Sequence, residues 1–443
     1  MRIIILGAGE VGTHIAASLS REGHDLVVIE RDAEKVALMQ KSMDVLAVKG
    51  DGCNPSVLKK HQVGDADLFF AVSNSDSSNL LAALTARRMG ARTAVVRVGN
   101  PALGKNPLVR ADDELRLLYP EQLVAEEIFC LTQVPGTGKA RFFGEGKLVL
   151  LQARPSISAK IYGKPIKELQ GPDNWILTGI HRATGTVIPR GDTLLRPGDL
   201  LYSVGPAEAI SSYLESIGVE SRPTRRVVIA GAGQVGATLA KQLIHAKIEV
   251  AIIQRGEKRA ADIAAEIPEA LVIRGDATDS GILNEAGIED ADYFVSATQS
   301  DEVNLLASLL ARESGARSVV ALYNRPEFLN LMLAVRIDIP LSPRMMTAGT
   351  ILRMVHRSEI VSMDLVEGGD AEIVEFEVPP GARALKAPLS ALKFPRNAII
   401  GTVLRGEQMF VPGGDFTFRE GDRTLVFTLS KALPDLERMF RGR

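Results

Sequence analysis

Three glycines near the start of the chain have the spacing of a turn that binds diphosphate. Gly7, Gly9 and Gly12 form a GxGxxG pattern directly after the apolar residues 3–6. Glycines at this spacing let the chain turn sharply, bring the backbone close to a pyrophosphate and place a helix N-terminus against the phosphates. The pattern alone is weak, since the same glycines also serve the packing of the helix on the strand.

An acidic residue strengthens the signal. Glu30 ends the next β-like run after these glycines. An acid at this place accepts hydrogen bonds from ribose hydroxyls and repels a 2′-phosphate. Glycines and acid together predict a site for a dinucleotide such as NAD or for a related adenine nucleotide.

Polar residues follow other apolar runs of the same segment. Because the carboxyl ends of parallel strands meet at one edge, we expect Asp51 beside the adenosine. Ser73 and Asn74 would lie beside the nicotinamide or the phosphates. For Asp51 a turn residue in KGDG is a nearly equal alternative, and for Asn79 helix capping or packing is favoured. The predicted first site consists of Gly7, Gly9, Glu10, Val11, Gly12, Glu30, Asp51, Ser73, Asn74 and Arg97.

These patterns recur in the second half of the chain. GAGEVG returns as GAGQVG, KGDG as RGDA, and SDSSNLLA as SDEVNLLA, at a nearly constant offset. The turn-rich stretches IPRGD and VPGGD also correspond. The chain is therefore two copies of one unit, and the polar residues 220–226 are the predicted linker.

The second copy has lost the acid. Gln254 takes the place of Glu30, Arg255 follows it, and Leu322 replaces Arg97. Gln can bond a hydroxyl and Arg can meet a phosphate, so two outcomes stay open: binding with a changed preference, or loss of binding while packing remains. A second site would consist of Gly231, Gly233, Gln234, Val235, Gly236, Gln254, Asp276 and Thr298.

Two kinds of pattern alternate along each copy. Short β-branched runs separated by amphipathic helical patterns predict a parallel sheet flanked by helices, and the turn-rich remainder predicts a small α+β domain. The predicted fold class is α/β, with two tandem Rossmann-like doubly wound parallel sheets, each followed by a small α+β domain. The predicted domain boundaries are 1–130, 140–218, 225–350 and 360–443.

The composition limits the classes of function. Fifty-two basic and 54 acidic residues give a net charge of −2, which offers no attraction for nucleic acid or an anionic membrane. The two cysteines lack CxxC spacing and the six histidines are scattered, so a reducing cytosol and no metal site are expected. No apolar stretch approaches a membrane span, so a role at a membrane would require a partner.

No residue pattern indicates catalysis. A dehydrogenase needs a proton donor or base near the nicotinamide, and none of the six tyrosines has a lysine four residues later. The stretch VPGTGKA, residues 134–140, lacks two positions of a phosphate loop and is interpreted as a turn. We therefore expect no enzyme. An NAD-dependent oxidoreductase with an atypical catalytic residue, or a purely structural scaffold, are the alternatives.

The order of these elements resembles that of the RCK family, whose KTN plus TrkA-C domains regulate potassium channels and transporters. The resemblance rests on the GAGEVG and GAGQVG turns, the KGDG and SNSD strand ends and the tandem RGD and GGD modules, and it covers essentially the whole chain. A double unit of this length is similar to the peripheral subunits of the bacterial Trk potassium uptake system. The small α+β domains would then be TrkA-C-like.

The resemblance implies a cytoplasmic protein bound, at the inner face of the membrane, to a TrkH/TrkG-type potassium-conducting subunit. It implies a homo-oligomer such as a tetramer, a ring of eight RCK units. NAD or NADH would bind the first site, ATP or ADP are possible ligands, and the second ligand is open. The methionine-containing segment 329–346 would be a subunit or hinge contact, although core packing explains it equally well.

Overall fold

The computed structural model describes residues 1–21, 23–134, 136–143, 147–169, 172, 174–182, 184–219, 222–355, 360–366, 370–406 and 408–442. These residues form four sheets in two compact units. One unit, Met1–Ile128 with Arg225–Val355, holds two parallel sheets, and the other, Phe129–Thr224 with His356–Arg443, holds two antiparallel sheets. The predicted fold class is confirmed.

The first sheet is parallel and has helices on both faces. Its strands are β1 (Arg2–Leu6), β2 (Asp25–Glu30), β3 (Leu46–Lys49), β4 (Leu68–Ala71), β5 (Thr93–Arg97) and β6 (Leu115–Leu118). Its helices are α1 (Glu10–Arg21), α2 (Ala33–Ser42), α3 (Pro55–Lys60), α4 (Asp76–Met89), α5 (Pro107–Arg110) and α6 (Pro120–Gln133). The strand order β3-β2-β1-β4-β5-β6 is that of dinucleotide-binding folds, in which ligands lie where the order reverses.

The second sheet in the chain is antiparallel, with the order β10-β9-β11-β8-β7. Its elements are β7 (Thr137–Phe143), β8 (Leu148–Ala153), β9 (Ile176–Arg182), β10 (Gly185–Val187), β11 (Leu200–Pro206) and the helix α7 (Ile210–Ser216). The turn predicted over residues 134–140 holds only for its start. Gly136 has a φ of 85° in a turn, but Thr137 already begins β7, and residue 135 lies outside the described residues.

The third sheet repeats the first, with the order β14-β13-β12-β15-β16-β17. Its strands are β12 (Arg226–Ala230), β13 (Glu249–Gln254), β14 (Leu271–Arg274), β15 (Tyr293–Ser296), β16 (Ser318–Leu322) and β17 (Ile339–Leu341). Its helices are α8 (Gln234–His245), α9 (Glu257–Glu266), α10 (Ser280–Glu285), α11 (Asp301–Glu313), α12 (Pro326–Ala334) and α13 (Pro343–Val355).

The fourth sheet is antiparallel, with the order β18-β19-β22-β20-β21. Its elements are β18 (Ile360–Leu365), β19 (Ala371–Glu377), β20 (Ala398–Arg405), β21 (Gln408–Phe410), β22 (Arg423–Leu429) and α14 (Leu433–Phe440). Within its unit it packs on the second sheet: Phe427 and Tyr202 share a buried cluster, and the Asp370 carboxylate accepts hydrogen bonds from the backbone N–H and hydroxyl of Thr186 at 2.7 and 2.6 Å.

Two details differ from what the sequence indicates. The β-branched and apolar runs of the first copy, at residues 3–6, 26–30, 45–49, 68–72 and 93–98, indicate five strands, whereas each parallel sheet has six. The linker predicted over residues 220–226 is shorter, because Arg226 is already paired in β12 with Glu249; residues 220 and 221 lie outside the described residues.

Helix α13 of the second copy packs on α1 of the first copy. Its Ala348 and Ile351 lie in the same buried cluster as Ile15 and Leu19 of α1. The segment 329–346 runs through α12 and β17 into this helix, with Met332 buried in the second sheet's core. Core packing therefore occurs in this segment, and a subunit or hinge contact stays a prediction.

Among the described residues, none of the helices combines the length and the apolar character needed to cross a membrane.

Candidate nucleotide-binding crevices

The turn between β1 and α1 needs two of its glycines for folding. Gly7 has a φ of 103°, and a Cβ on it would lie 3.0 Å from the backbone of Ser73. A Cβ on Gly12 would lie 1.9 Å from the Gly7 carbonyl oxygen. Packing alone therefore accounts for Gly7 and Gly12.

Packing does not account for Gly9. A Cβ on this residue meets no heavy atom of the described structure within 4 Å. The Gly9 carbonyl accepts the first hydrogen bond of α1, from the Thr13 N–H at 2.9 Å, so Gly9 caps the helix beside its free N–H groups. The open space lies where a diphosphate would approach the helix N-terminus.

The two residues after Gly9 have different surroundings. Val11 is buried, so only its backbone faces the turn. Glu10 is exposed at the first position of α1 and forms an ion pair with Arg344 of α13. The second half of the chain thus supplies a cation at the edge of the first crevice, a contact that sequence reasoning missed.

Glu30 at the end of β2 holds the glycine turn. Its Oε2 accepts a hydrogen bond from the Ala8 N–H at 2.6 Å, and its Oε1 accepts from the Arg31 and Asp32 N–H groups at 2.7 and 3.1 Å. Burial raises the pKa of Glu30, but the backbone donors and Lys35 outweigh it, so the pKa is lowered. Because a carboxylate has about four acceptor positions, the ionised group still has capacity for a ribose hydroxyl.

Asp51 follows β3 and closes a turn. Its Oδ1 accepts from the Cys53 N–H at 2.9 Å and from the Arg31 guanidinium at 2.6 Å. The hydrogen bond from Arg31, followed by that from Cys53, lowers the pKa of Asp51. The predicted alternative of a turn role is thus present, and the same carboxylate stands at the strand edge next to Glu30. Arg31 was missed, although it directly follows the predicted acid.

Ser73, Asn79 and Arg97 join the ends of β4 and β5. The fully buried Asn79 accepts from the Ser73 N–H and hydroxyl at 2.9 and 2.6 Å, and its amide donates to the Ser73 and Arg97 carbonyls at 3.0 and 2.9 Å. Arg97 also donates to the Ser73 carbonyl at 3.1 Å. Asn79 has the packing role expected for it. Asn74, which directly follows Ser73, is exposed.

Glu121, which sequence reasoning also missed, lies just after β6. Its Oε2 is buried and has no hydrogen-bond partner in the described part of the chain. Burial raises the pKa of Glu121; the charge of Arg97 opposes the rise and that of Asp76 adds to it. Its signal in the sequence is only a Pro-Glu pair at a helix start.

The second crevice repeats the turn. Gly231 has a φ of 105°, and a Cβ on Gly236 would lie 2.0 Å from the Gly231 carbonyl oxygen. A Cβ on Gly233 again meets no described heavy atom within 4 Å. Val235 is buried, and Gln234, in the place of Glu10, is exposed. The space for a ligand backbone contact is therefore kept in both copies.

Gln254 replaces Glu30 in the contact with the turn. Its Oε1 accepts from the Ala232 N–H at 2.9 Å. Arg259, one turn into α9, donates from Nε to the Ala232 carbonyl at 2.7 Å. The side chain at the end of the second strand thus has the same structural role in both copies, without the charge in the second.

The remaining predicted residues of the second crevice match their counterparts. Asp276 accepts from the Thr278 N–H and hydroxyl at 3.0 and 2.8 Å, which lower its pKa together with Arg255, 3.8 Å away. Thr298 donates from its N–H and hydroxyl to Asn304 at 2.9 and 2.6 Å, and Asn304 donates to the Leu322 carbonyl at 2.9 Å.

Family models match both copies. The TrkA-N domain matches residues 3–108 and 227–343, and the TrkA-C domain matches residues 151–218 and 373–441. Most of each parallel sheet thus falls in the TrkA-N matches, with β6 beyond the end of the first match, and most of each antiparallel sheet falls in the TrkA-C matches.

Curated relatives align over the entire chain. A Trk system potassium uptake protein TrkA homolog of Archaeoglobus fulgidus is 36% identical, covering 100% of both chains. TrkA homolog 1 of Methanosarcina mazei is 34% identical, also with 100% of both chains covered. The Trk system potassium uptake protein TrkA of Halomonas elongata is 30% identical and is covered over 99% of its length.

Solved structures share the fold. A structure described as the GsuK channel bound to NAD has a TM-score of 0.62 at 20% identity, covering 99% of this chain and 78% of that one. The GsuK RCK domain has a TM-score of 0.62 at 19% identity, covering 99% and 94%. From the paired TrkA-N and TrkA-C matches and the full-length relatives, we conclude that this chain belongs to the TrkA family of Trk system potassium uptake proteins.

Proposed function

We propose that this chain is a nucleotide-sensing regulatory subunit of a Trk-type potassium uptake system, acting at the cytoplasmic face on a TrkH/TrkG-type membrane subunit. The full-length relatives named as potassium uptake proteins support the assignment to this system. The observation that carries the sensing role is the open backbone at Gly9 beside the ionised Glu30.

The residues of the first crevice suit NAD or NADH. The N–H groups of Glu10 and Val11 would hold the diphosphate, and Glu30 would accept from the adenosine ribose. Asp51 would border the adenosine, and Ser73, Asn74 and Arg97 the opposite end. The cofactor would contribute its charge and bulk. The GsuK channel structure bound to NAD supports a dinucleotide as ligand class, and a further structure described as GsuK bound to ADP, with a TM-score of 0.51 at 16% identity, supports ADP.

Sensing requires a route from the crevice to the rest of the molecule. Helix α1 begins at the crevice and packs along its length on α13 of the second copy. A ligand that binds one arrangement of these helices better than another shifts the balance by that difference in affinity, and about 1 to 3 kcal/mol per site is typical of such coupling.

We infer binding without turnover. The hydroxyls of Ser73 and Thr298 stand at the strand ends, but each donates its proton to a buried amide oxygen. They are therefore held as structural donors and are poorly placed to protonate a substrate. The domain boundaries 1–130, 140–218, 225–350 and 360–443 stay predictions in this scheme.

A ring of eight RCK units, four copies of this chain, is the proposed assembly. Leucines of both halves are exposed on the surface of the parallel-sheet unit: Leu81 and its counterpart Leu306 on α4 and α11, Leu108 on α5, and Leu331 and Leu333 on α12. Apolar groups repeated in both copies favour contacts that repeat around a ring.

The test is a calorimetric titration of the full chain with NAD, NADH, ATP and ADP. We expect saturable binding without consumption of the nucleotide. Gly9→Val should abolish binding to the first crevice and lower thermal stability only by the modest cost of a β-branched residue at a helix N-cap, because a Cβ at this position enters open space. Failure of the wild-type chain to bind any of the four nucleotides, or steady NADH oxidation, would overturn the proposal.

Co-expression with a potassium-conducting membrane subunit tests the partner. We expect the two proteins to co-purify from detergent, and potassium flux in vesicles to change on addition of nucleotide. The proposal is contradicted if nucleotide changes the potassium flux equally with wild-type protein and with the Gly9→Val/Gly233→Val double variant. Regulation would then not depend on nucleotide binding to the two crevices.

A further inference from the structure

The two crevices differ in charge where the adenosine ribose would lie. In the first, Glu30 ends β2, with Lys49 paired to it in the register of β3. In the second, Gln254 is paired with Arg274 of β14. Asp32, which follows in the first copy, is replaced by Gly256. One carboxylate is exchanged for an amide and another is removed, while the cations remain.

Three arginines lie close to this end of the second crevice. Arg259 donates to the Ala232 carbonyl of the glycine turn. Arg274 is the last residue of β14, and Arg255 directly follows β13. Each has an acidic neighbour: Arg259 pairs with Glu266 at 3.6 Å, Arg274 with Glu257 at 3.1 Å and Arg255 with Asp276 at 3.8 Å. The Arg255 pair is the longest, and its side chain is 80% exposed.

The crevice is also built to accept a nucleotide. The side-chain Oε1 of Gln254 accepts a hydrogen bond from the Ala232 N–H, so the turn has the shape that it has in the first copy, and Gly233 keeps its open space. With Oε1 engaged, Gln254 presents its amide N–H donors to a ligand, whereas Glu30 presents acceptors only.

We propose that the second crevice binds an adenine nucleotide with a phosphate on the ribose 2′ position, the NADP(H) class, while the first binds the unphosphorylated class. This inference rests on the proposed nucleotide-binding function. A 2′-phosphate meets the ionised Glu30 in the first crevice, which repels it. In the second it meets an amide donor and the guanidinium of Arg255, which forms two parallel hydrogen bonds with phosphate oxygens.

The test separates the crevices with one blocking variant each. Gly9→Val leaves only the second crevice, and Gly233→Val leaves only the first. Each is titrated with adenosine 2′,5′-bisphosphate and 5′-AMP, which differ only in the 2′-phosphate, and with NADPH and NADH. We expect Gly9→Val protein to prefer adenosine 2′,5′-bisphosphate by about tenfold or more, and Gly233→Val protein to prefer 5′-AMP.

Two substitutions in the Gly9→Val background assign the preference. Arg255→Gln should reduce the preference for adenosine 2′,5′-bisphosphate about tenfold with little change in the affinity for 5′-AMP. Gln254→Glu should reverse the preference, since it restores the pattern of the first copy. The matched control is Arg317→Gln: this arginine is 54% exposed and pairs with Asp292 at 3.1 Å, but it precedes β16 at the opposite edge of the sheet.

Equal affinity of Gly9→Val protein for adenosine 2′,5′-bisphosphate and 5′-AMP, or tighter binding of 5′-AMP, overturns the inference. The proposed function is then intact if the Gly233→Val protein still binds NADH. A loss of the 2′ preference with Arg317→Gln as large as with Arg255→Gln also contradicts it, because net charge alone would then be the cause.

Discussion

In the first crevice a carboxylate, Glu30, accepts from the Ala8 N–H at 2.6 Å, and in the second an amide, Gln254, accepts from the Ala232 N–H at 2.9 Å. The glycines, the buried asparagines and the strand order are alike in both copies. Residues that maintain the turn are thus kept, while the charge that a ligand would meet has changed. The shape of the turn and the ligand preference of the crevice can therefore change independently. One oxygen of the Glu30 or Gln254 side chain holds the turn, and the other polar atom of the same side chain is available to the ligand.

The largest expected effect tests the shared shape. Gly12→Ala and Gly236→Ala each place a Cβ about 2 Å from a carbonyl oxygen, so each should lower the free energy of unfolding of its sheet by about 3 kcal/mol. Hydrogen exchange of the backbone amides of each sheet, measured at a series of urea concentrations, gives the free energy of unfolding of each sheet. Gly9→Ala and Gly233→Ala are the controls, and a destabilisation by them as large as by the first pair would refute the assignment of these roles.

A somewhat smaller effect tests the links between strand ends. Asn79→Ala and Asn304→Ala each remove hydrogen bonds that join two strands and leave buried carbonyls unpaired. We expect each to cost about 2 kcal/mol of stability. Equal losses of stability in the two copies would show that both sheets depend on this asparagine to the same extent. A loss in one copy only would contradict that equivalence.

The third prediction concerns the residue that differs. Glu30→Ala should weaken binding of NADH to the first crevice by about 1 to 3 kcal/mol, because a charged acceptor for the ribose hydroxyls is lost. Glu30→Gln should keep the hydrogen bond with the Ala8 N–H, since Gln254 makes the same contact in the second copy. Calorimetry in the Gly233→Val background measures the affinity. Unchanged NADH affinity in Glu30→Ala would contradict a ribose contact.

The smallest expected effect is a dependence on pH. The pKa of Glu30 is lowered below its ordinary 4.5, so its contribution to stability is fully present above pH 4.5 and is lost as the pH falls through the lower folded value. The first sheet should therefore lose more stability on acidification below pH 4.5 than Glu30→Gln protein does. Thermal unfolding at a series of pH values is the measurement, and identical profiles for the two proteins would speak against it.

Much of the fold and part of the site follow from the sequence. The duplication and the glycine spacing predict both parallel sheets, since apolar runs of β-branched residues have few other solutions. β6 was missed because its four residues include the exposed Arg116 and give no continuous apolar run. Asn79 was judged correctly as a packing residue, because a polar group on the inner face of a helix needs buried partners.

Contacts between the halves were beyond sequence reasoning. Nothing in the spacing of Glu10 relates it to Arg344, more than three hundred positions away, since a repeat pattern compares equivalent residues and says nothing about which copy covers which. The Arg259 contact with Ala232 was missed for a related reason. An arginine on a predicted helix is expected to be solvated, and the sequence does not show that the glycine turn lies next to this one.

The packing of α13 on α1 has a consequence for how the duplicated chain assembles. A protein with a single copy would need a second molecule to cover the apolar side of its α1, so the fraction of molecules that make this contact would depend on the protein concentration. Here the covering helix is tethered on the same polypeptide, which fixes its effective concentration. Covalent linkage thus makes this helix contact part of the folding of one chain. Because the two copies no longer have to be identical molecules, their sequences can differ.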